Sequence, residues 1–463
     1  MSNILLVEPA YRSKFPPLGL MRISTYHKGK GDLVTFVRGK VPEIRDLAWH
    51  KIYVSSLFTY ELPRTVDTIQ YYSKTVQCSS RDIYVGGIGA TLLPSYIRDL
   101  VDCKIIEGPL DQPDILGDGI PPIAHYVPDY DLLKSVNFEY KPKDSYFFRV
   151  TVGCIRKCAF CAVPKLEPNF GFSCSLEEQM REVKEKFGER QNMVLMDNNI
   201  LAIDNLENII GDIRRAGFAS GESLNGRHRT VDFNQGIDAR LITPELAQLL
   251  STISLDPVRL AFDFLGMERQ YRKAVKLLAN VGFEHFTNYV MFNYNDDPES
   301  LYRRIRINLE LSQKHNIQIT SFPMRFVPID DVNRHFVSEK WHWRYLRGIQ
   351  CVLNATHGIV SPNVNFVDGS FGKSFDEFLE ILSMPDRYII YRKNFQSDAE
   401  DWKSEFRKLT KSEKDEFLVI LAKLNKSKQK QLEISQNKKY LSLFEHYYPN
   451  GKWPNENPKP LEN

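Results

Sequence analysis

The sequence predicts an α/β protein in three parts: a doubly wound, Rossmann-like parallel sheet, a partial (β/α)6 TIM-type barrel, and a mainly helical C-terminal region. Three observations predict it. Short β-rich runs alternate with longer connections as far as Ile106. Six further strand-and-helix units follow between Phe147 and Phe322, too few for a complete eightfold barrel. Beyond Pro328 the alternation gives way to aromatic-rich and then charged helical sequence.

In the first part the strand candidates are Ile4 to Val7, Ile52 to Val54, Ile83 to Val85 and Lys104 to Ile106. The second ends in Ser55-Ser56-Leu57 and the third in Gly86-Gly87. Open parallel sheets bind ligands at the carboxyl ends of their strands, where these small residues fall. The Pro-rich stretch from Pro109 to Pro128, with Tyr140 to Asp144 after it, extends neither a helix nor a central strand and reads as an interdomain linker. The second part has strand candidates at 147–152, 192–196, 230–234, 258–262, 286–292 and 317–322. Helical patterns lie between them at 175–188, 204–216, 243–252, 267–281 and 297–315. The last carries Leu301, Ile305, Leu309 and Leu311 near helical spacing, and Asp296, Asp297 and Pro298 start it. The expected domains are 1–135, 136–328 and 329–463.

Composition narrows the class. Of 463 residues, 42% are hydrophobic and 26% charged, an ordinary globular balance. The apolar run Ile4 to Val7 is too short for a secretory or targeting segment, and no stretch has the length of a membrane span. The expected location is cytoplasmic. A net charge of +3 does not by itself call for a nucleic-acid partner. Of seven cysteines, only Cys154, Cys158 and Cys161 cluster; Cys78, Cys103, Cys174 and Cys351 have no framework spacing. That pattern favours a metal site over disulfides.

The cluster reads Gly153-Cys154-Ile-Arg-Lys-Cys158-Ala-Phe160-Cys161. Three thiolates within eight residues can wrap one cubane [4Fe-4S] cluster, and three ligands for four irons leave one iron open. A structural zinc knuckle is the competing reading, with Cys174 as the one candidate fourth ligand. The C-x3-C-x2-C spacing, with an aromatic before the third cysteine and a first barrel strand before the loop, resembles the radical S-adenosylmethionine (SAM) superfamily.

The resemblance implies an enzyme that reductively cleaves SAM and starts radical modification of a substrate, with an external flavodoxin- or ferredoxin-type electron donor. It places Phe160 beside the adenine. The strand end Val194 to Ile200 resembles that of relatives with a cobalamin-type N-terminal domain and implies Asp197 and Asn199 as polar contacts to the SAM amino group. Asn234 to Arg240 resembles the next strand end, implying Gln235 and Arg240 as contacts to ribose and carboxylate, and Asp263 ends the fourth strand as a further candidate. Helix capping and loop closure are the alternative role for each. The turn Asn293 to Glu299 departs from the glycine-rich turn of relatives.

Residues 1–135 resemble the cobalamin-binding domain fused to many such enzymes. The matching pieces are Pro16-Pro17-Leu18-Gly19-Leu20, Ser55-Ser56-Leu57, Gly86-Gly87 and Pro128 to Leu133. Ser55, Gly86 and Gly87 are thus candidate cofactor contacts, small enough to leave room for a nucleotide tail. The Asp-x-His-x-x-Gly cobalt-ligand motif is absent, and His27, in Tyr26-His-Lys-Gly, reads as a surface residue. Cobalamin is therefore left open, and with it methyl transfer.

Two further readings stay open. Residues 423–439 hold six lysines and one glutamate, and Tyr440, Phe444, Tyr447 and Tyr448 follow, a mixture that suits RNA. The other is a non-catalytic protein that binds the cluster and SAM. Trp341-His-Trp343 reads as aromatic packing or a substrate lid, and His335, His342, Cys351 and His357 match no metal motif.

Overall fold

A computed structural model describes residues 1–73, 82–116, 122–426, 434 and 436–448. Cys78, much of the lysine-rich run and the end from Pro449 lie outside the described residues. The chain forms two compact units. One comprises Met1–Arg259 with Val327–His335; the other comprises Leu260–Phe326 and the residues from Phe336 onward.

The first unit begins with a five-stranded parallel sheet made of β1 (Asn3–Glu8), β2 (Leu33–Arg38), β3 (Lys51–Ser55), β4 (Ile83–Gly86) and β5 (Lys104–Ile106). Their order is β2-β1-β3-β4-β5. The chain switches direction between β1 and β3, so their carboxyl ends open a crevice. Leu5, Val7, Ile52 and Val54 pack on one face with Leu62, Val66 and Ile69 of the helix Leu62–Tyr72. Tyr53 points to the other face, towards the helix Leu18–Gly29. Helices on both faces explain why these strands read as continuous apolar runs.

β2 is absent from the sequence prediction. It is an edge strand, exposed or half-exposed at Leu33 to Thr35 and buried only at Phe36 and Val37, and its β-branched residues between Gly31 and Gly39 were its only signal. His27 is a second correction. It is buried on the helix Leu18–Gly29, with Nδ1 2.8 Å from Asp32 and Nε2 3.1 Å from the Tyr53 hydroxyl. Burial holds its pKa below the usual histidine value, against the pull of Asp32.

The stretch expected to cross the surface as a linker is anchored instead. Thr25 donates to the Val127 carbonyl at 2.7 Å, and Asp129 accepts from Ser24 and Lys28, each at 2.7 Å. Tyr140 is buried, and its hydroxyl donates to Glu8.

The six strands predicted for the second part all form, as two sheets of three. β6 (Ser145–Phe148), β9 (Asn192–Leu195) and β12 (Val231–Phe233) make a parallel sheet in the order β12-β9-β6 in the first unit. Two small antiparallel pairs accompany it: β7 (Thr151–Val152) with β8 (Gly171–Phe172), and β10 (Ser223–Leu224) with β11 (Arg227–His228). The other sheet joins β13 (Val258–Ala261), β14 (His285–Phe292) and β15 (Gln318–Arg325).

In the second unit, Arg304 is fully buried. It donates to the carbonyls of Phe262, Asp263, Met291 and Ser300 and pairs with Asp296 at 2.7 Å. Asp296 is therefore a partner of Arg304 and of the Trp341 indole, while Asp297 caps the helix Pro298–His315 through Ser300. Trp341 is core rather than lid.

The C-terminal helices pack on one aromatic-rich core. Tyr440, Phe444, Tyr447 and Tyr448 are buried in it, Phe444 stacking on Phe417. These rings have no free face for a base, so the nucleic-acid reading loses its aromatic half. Lys439 is taken up by Glu413 and Glu416.

Candidate active site

The expected strand 147–152 is interrupted, and the interruption starts the site. β6 stops at Phe148 because the next amides turn to a carboxylate. Asp197, just beyond β9, accepts from Val150 N at 3.0 Å, Thr151 N at 2.5 Å and the Thr151 hydroxyl at 2.7 Å through one oxygen. Its other oxygen is buried without a hydrogen-bond partner. Burial raises the Asp197 pKa against these hydrogen bonds. The cysteine loop is thereby pinned at its start to the end of β9.

Gly153 makes the next turn. Its φ is +70°, and a Cβ there would lie 2.0 Å from the Asn169 carbonyl oxygen. Only glycine meets both conditions. Its N–H donates to Glu167 at 2.7 Å, and Glu167 also accepts from Asn198 at 2.9 Å and pairs with Arg149.

Cys154, Cys158 and Cys161 follow, none in a disulfide and each half-buried. The Cys161 N–H donates to the Cys158 carbonyl at 3.0 Å, folding the loop back on itself. The Cys154 sulfur accepts from Arg156 N at 3.3 Å and from the Asn199 side-chain amide at 3.4 Å. Among the described residues no group of three or more His, Cys, Asp or Glu closes on a point as the ligands of a single ion would. Three unbridged thiols on one loop, with N–H donors aimed at a sulfur and a guanidinium alongside, suit an anionic iron-sulfur cluster.

Asp238 organises the far side. It accepts from Arg156 at 2.9 Å and from Arg240 N, Nε and Nη2 at 3.1, 2.6 and 3.0 Å. Burial pushes its pKa up, but these donors outweigh it and hold the carboxyl below the usual range. Arg240 is thus aimed by Asp238, and Gln235 is exposed on the same strand-end loop. Phe160 is half-buried within the cysteine loop.

The structure brings Cys154, Cys158, Cys161, Phe160, Asp197, Asn199, Gln235 and Arg240 onto the strand-end loops of one sheet. Asp263 belongs to the second unit, where its carbonyl receives Arg304. Glu167 and Asp238 escaped the sequence reading, and Asp238 stood inside a segment already singled out. Asp232 did too: it clamps Arg259 through bonds of 2.6 and 2.7 Å. Their signal is only an acidic residue near a basic one, which is too common to select them.

At the carboxyl ends of the five-stranded sheet, Tyr11 crosses the β1/β3 crevice. Its hydroxyl donates to the Ser55 carbonyl at 2.9 Å and meets Thr65 at 2.7 Å. The Gly86 carbonyl accepts from Ser56 N at 2.7 Å. A Cβ on Gly87 would fall 2.4 Å from the Ser56 carbonyl oxygen, and one on Gly89 2.5 Å from its hydroxyl. The room at these glycines, expected to serve a nucleotide tail, is filled by the chain itself. Beside them Phe58 and Tyr60 stack 5.2 Å apart and remain exposed with Ile88, and Arg334 lies 4.8 Å over Tyr60.

Among solved structures, the cobalamin-dependent S-adenosylmethionine radical enzyme OxsB with aqua-cobalamin and S-adenosylmethionine bound is similar at a TM-score of 0.52 and 13% identity. The match covers 96% of this chain and 76% of that one. The apo, selenomethionine-labelled form of OxsB gives 0.46 and 13% over 96% and 75%. No protein-family model and no curated protein matches. The chain therefore shares the fold of a cobalamin-dependent radical SAM enzyme. Among the described residues no helix is long and apolar enough to cross a membrane.

Proposed function

We propose that this chain is a radical SAM enzyme holding a [4Fe-4S] cluster on Cys154, Cys158 and Cys161. The observation that carries the reading is the loop itself: three clustered cysteines outside any disulfide, turned by Gly153 and tied to β9 and to the loop after β12 by Asp197, Glu167 and Asp238. When bound there on these three thiolates, such a cluster would supply the electron for reductive cleavage of SAM, the chemistry that starts radical modification of a substrate.

The protein's own residues orient and enclose. The partnerless oxygens of Asp197 and Asn199 are buried at the end of β9, and both are acceptors suited to the SAM ammonium. Arg240, fixed by Asp238, offers a guanidinium for the SAM carboxylate. Phe160 supplies an apolar face for adenine, and Gln235 is a further candidate contact. In this reading 1–135 is the cobalamin-type domain, 136–328 the radical SAM partial barrel and 329–463 the substrate region. An external flavodoxin- or ferredoxin-type protein supplies the electron.

The exposed Phe58, Tyr60 and Ile88 favour a second cofactor, because they put apolar side chains in reach of solvent at the carboxyl ends of β3 and β4. Cobalamin is the candidate there, with Ser55 and Gly86 as its contacts at the strand ends, whereas Gly87 is closed off by the Ser56 backbone. It would supply a methyl carrier there.

The test is anaerobic purification, reconstitution with iron and sulfide, and assay of 5'-deoxyadenosine with SAM and dithionite, with and without cobalamin. Wild-type product that vanishes in Cys158→Ala supports the reading, and cobalamin-dependent S-adenosylhomocysteine supports methyl transfer. A well-formed cluster that fails to bind SAM would leave a non-catalytic iron-sulfur protein.

A further inference from the structure

We infer that Asn199 is a positioning residue that sets the reduction potential of the cluster by donating a hydrogen bond to the Cys154 sulfur. The inference rests on the cluster proposed above and gives Asn199 a role beyond contacting SAM.

The geometry comes first. The Asn199 Nδ2 lies 3.4 Å from the Cys154 sulfur, within range for a sulfur acceptor, and the residue is only 3% exposed. Its other amide atom, Oδ1, is buried with no hydrogen-bond partner. An amide left half-satisfied in this way is normally free to flip so that the better bonds form. Here ligation removes that freedom. A cluster-bound thiolate has lone pairs and no proton, so it accepts from N–H and repels an oxygen. The Nδ2-to-sulfur orientation is the one a ligated Cys154 selects.

The backbone around this contact is held independently of it. The Arg156 N–H provides a second donor to the same sulfur at 3.3 Å, and the Arg156 side chain is anchored by Asp238. Asp197, two residues before Asn199, holds the opposite end of the loop. Removing the Asn199 donor therefore leaves one donor and all three thiols in place.

The electrostatic consequence has a definite sign. Adding one electron to [4Fe-4S]2+ gives [4Fe-4S]+ and puts more negative charge on the sulfurs. A fixed N–H dipole directed at a sulfur stabilises that reduced state more than the oxidised one, which raises the potential. Asn199 itself is shielded from water, so its dipole is less screened than that of an exposed amide. Loss of the donor lowers the potential, and replacing it by a carboxylate lowers it further.

The experiment is a mediated redox titration of the reconstituted full chain, followed by the electron paramagnetic resonance signal of the reduced cluster, with dithionite as reductant. Wild type is compared with Asn199→Leu, which deletes the donor, and Asn199→Asp, which keeps the shape and adds charge. The expected result is unchanged iron and sulfide content, with midpoints in the order wild type, Asn199→Leu, Asn199→Asp. The first step should be about tenfold in the reduction equilibrium, or about 59 mV for a one-electron couple. Equal midpoints in three loaded proteins would overturn the role of Asn199 while leaving the cluster standing. Iron loss without a change of midpoint would make Asn199 a structural residue only. A wild-type chain that takes up no cluster would overturn both readings.

Discussion

Glu167 accepts the backbone N–H of Gly153 at 2.7 Å, and this one bond sets where the cysteine loop leaves the sheet. The same carboxylate holds Asn198 and Arg149, so three segments meet on it. Replacing Glu167 with Ala leaves Arg149 and the Gly153 amide without their acceptor. The cost should be about 2–4 kcal/mol, because both partners are largely shielded from water. Thermal melting will read the loss of stability, and iron per chain after reconstitution will fall with it.

Gly153→Ala probes the turn itself. The positive φ alone costs about 1–3 kcal/mol for a residue with a side chain, and the clash with Asn169 adds to it. A melting temperature equal to wild type would show that the loop can open without cost, contrary to the packing.

Glu8 gives the protein a distinctive pH dependence. Burial raises its pKa from 4.5 to about 7, against the lowering effects of Tyr140 and Arg38. The folded state therefore holds the proton more tightly than the unfolded chain. Its contribution is fully present below pH 4.5 and is lost as pH rises to about 7. The size is roughly 3 kcal/mol. Denaturant melts of wild type and Glu8→Gln across this window should converge at low pH and separate above it, with the variant the more stable. Parallel curves would contradict the raised value.

Arg304→Met should destabilise the second unit by about 3–5 kcal/mol, since the substitution strands Asp296 and four carbonyls that now share one guanidinium. Hydrogen exchange at β13 and β14 will speed up first, because Arg304 ties their carboxyl ends together.

The comparison of sequence with structure divides along the range of the interaction concerned. Strands β1, β3 to β6, β9 and β12 to β15 were legible because parallel strands of a covered sheet write their burial as short, largely β-branched or aromatic runs. β2 escaped because only Phe36 and Val37 of it are buried, and Thr35 and Arg38 interrupt its apolar run. The cysteine loop was legible because its ligands lie within one short segment. His27 was misread because its neighbours in sequence are polar, whereas burial is set by Tyr53 and Asp32 packing around it. Tyr440, Phe444, Tyr447 and Tyr448 were ambiguous for the same reason: a ring that stacks on a base and a ring that stacks on Phe417 look alike along the chain.

The sequence by itself determined most of the strands and helices and the three clustered cysteines, since both follow from local periodicity and spacing. Only the tertiary structure decided which carboxylate serves which part of the loop. Asp197 reaches back 46 residues to Thr151, and Asp238 reaches 82 to Arg156. Hydrogen-bond partners at such separations are chosen by how strands pair and loops fold over them, and no local pattern records that choice.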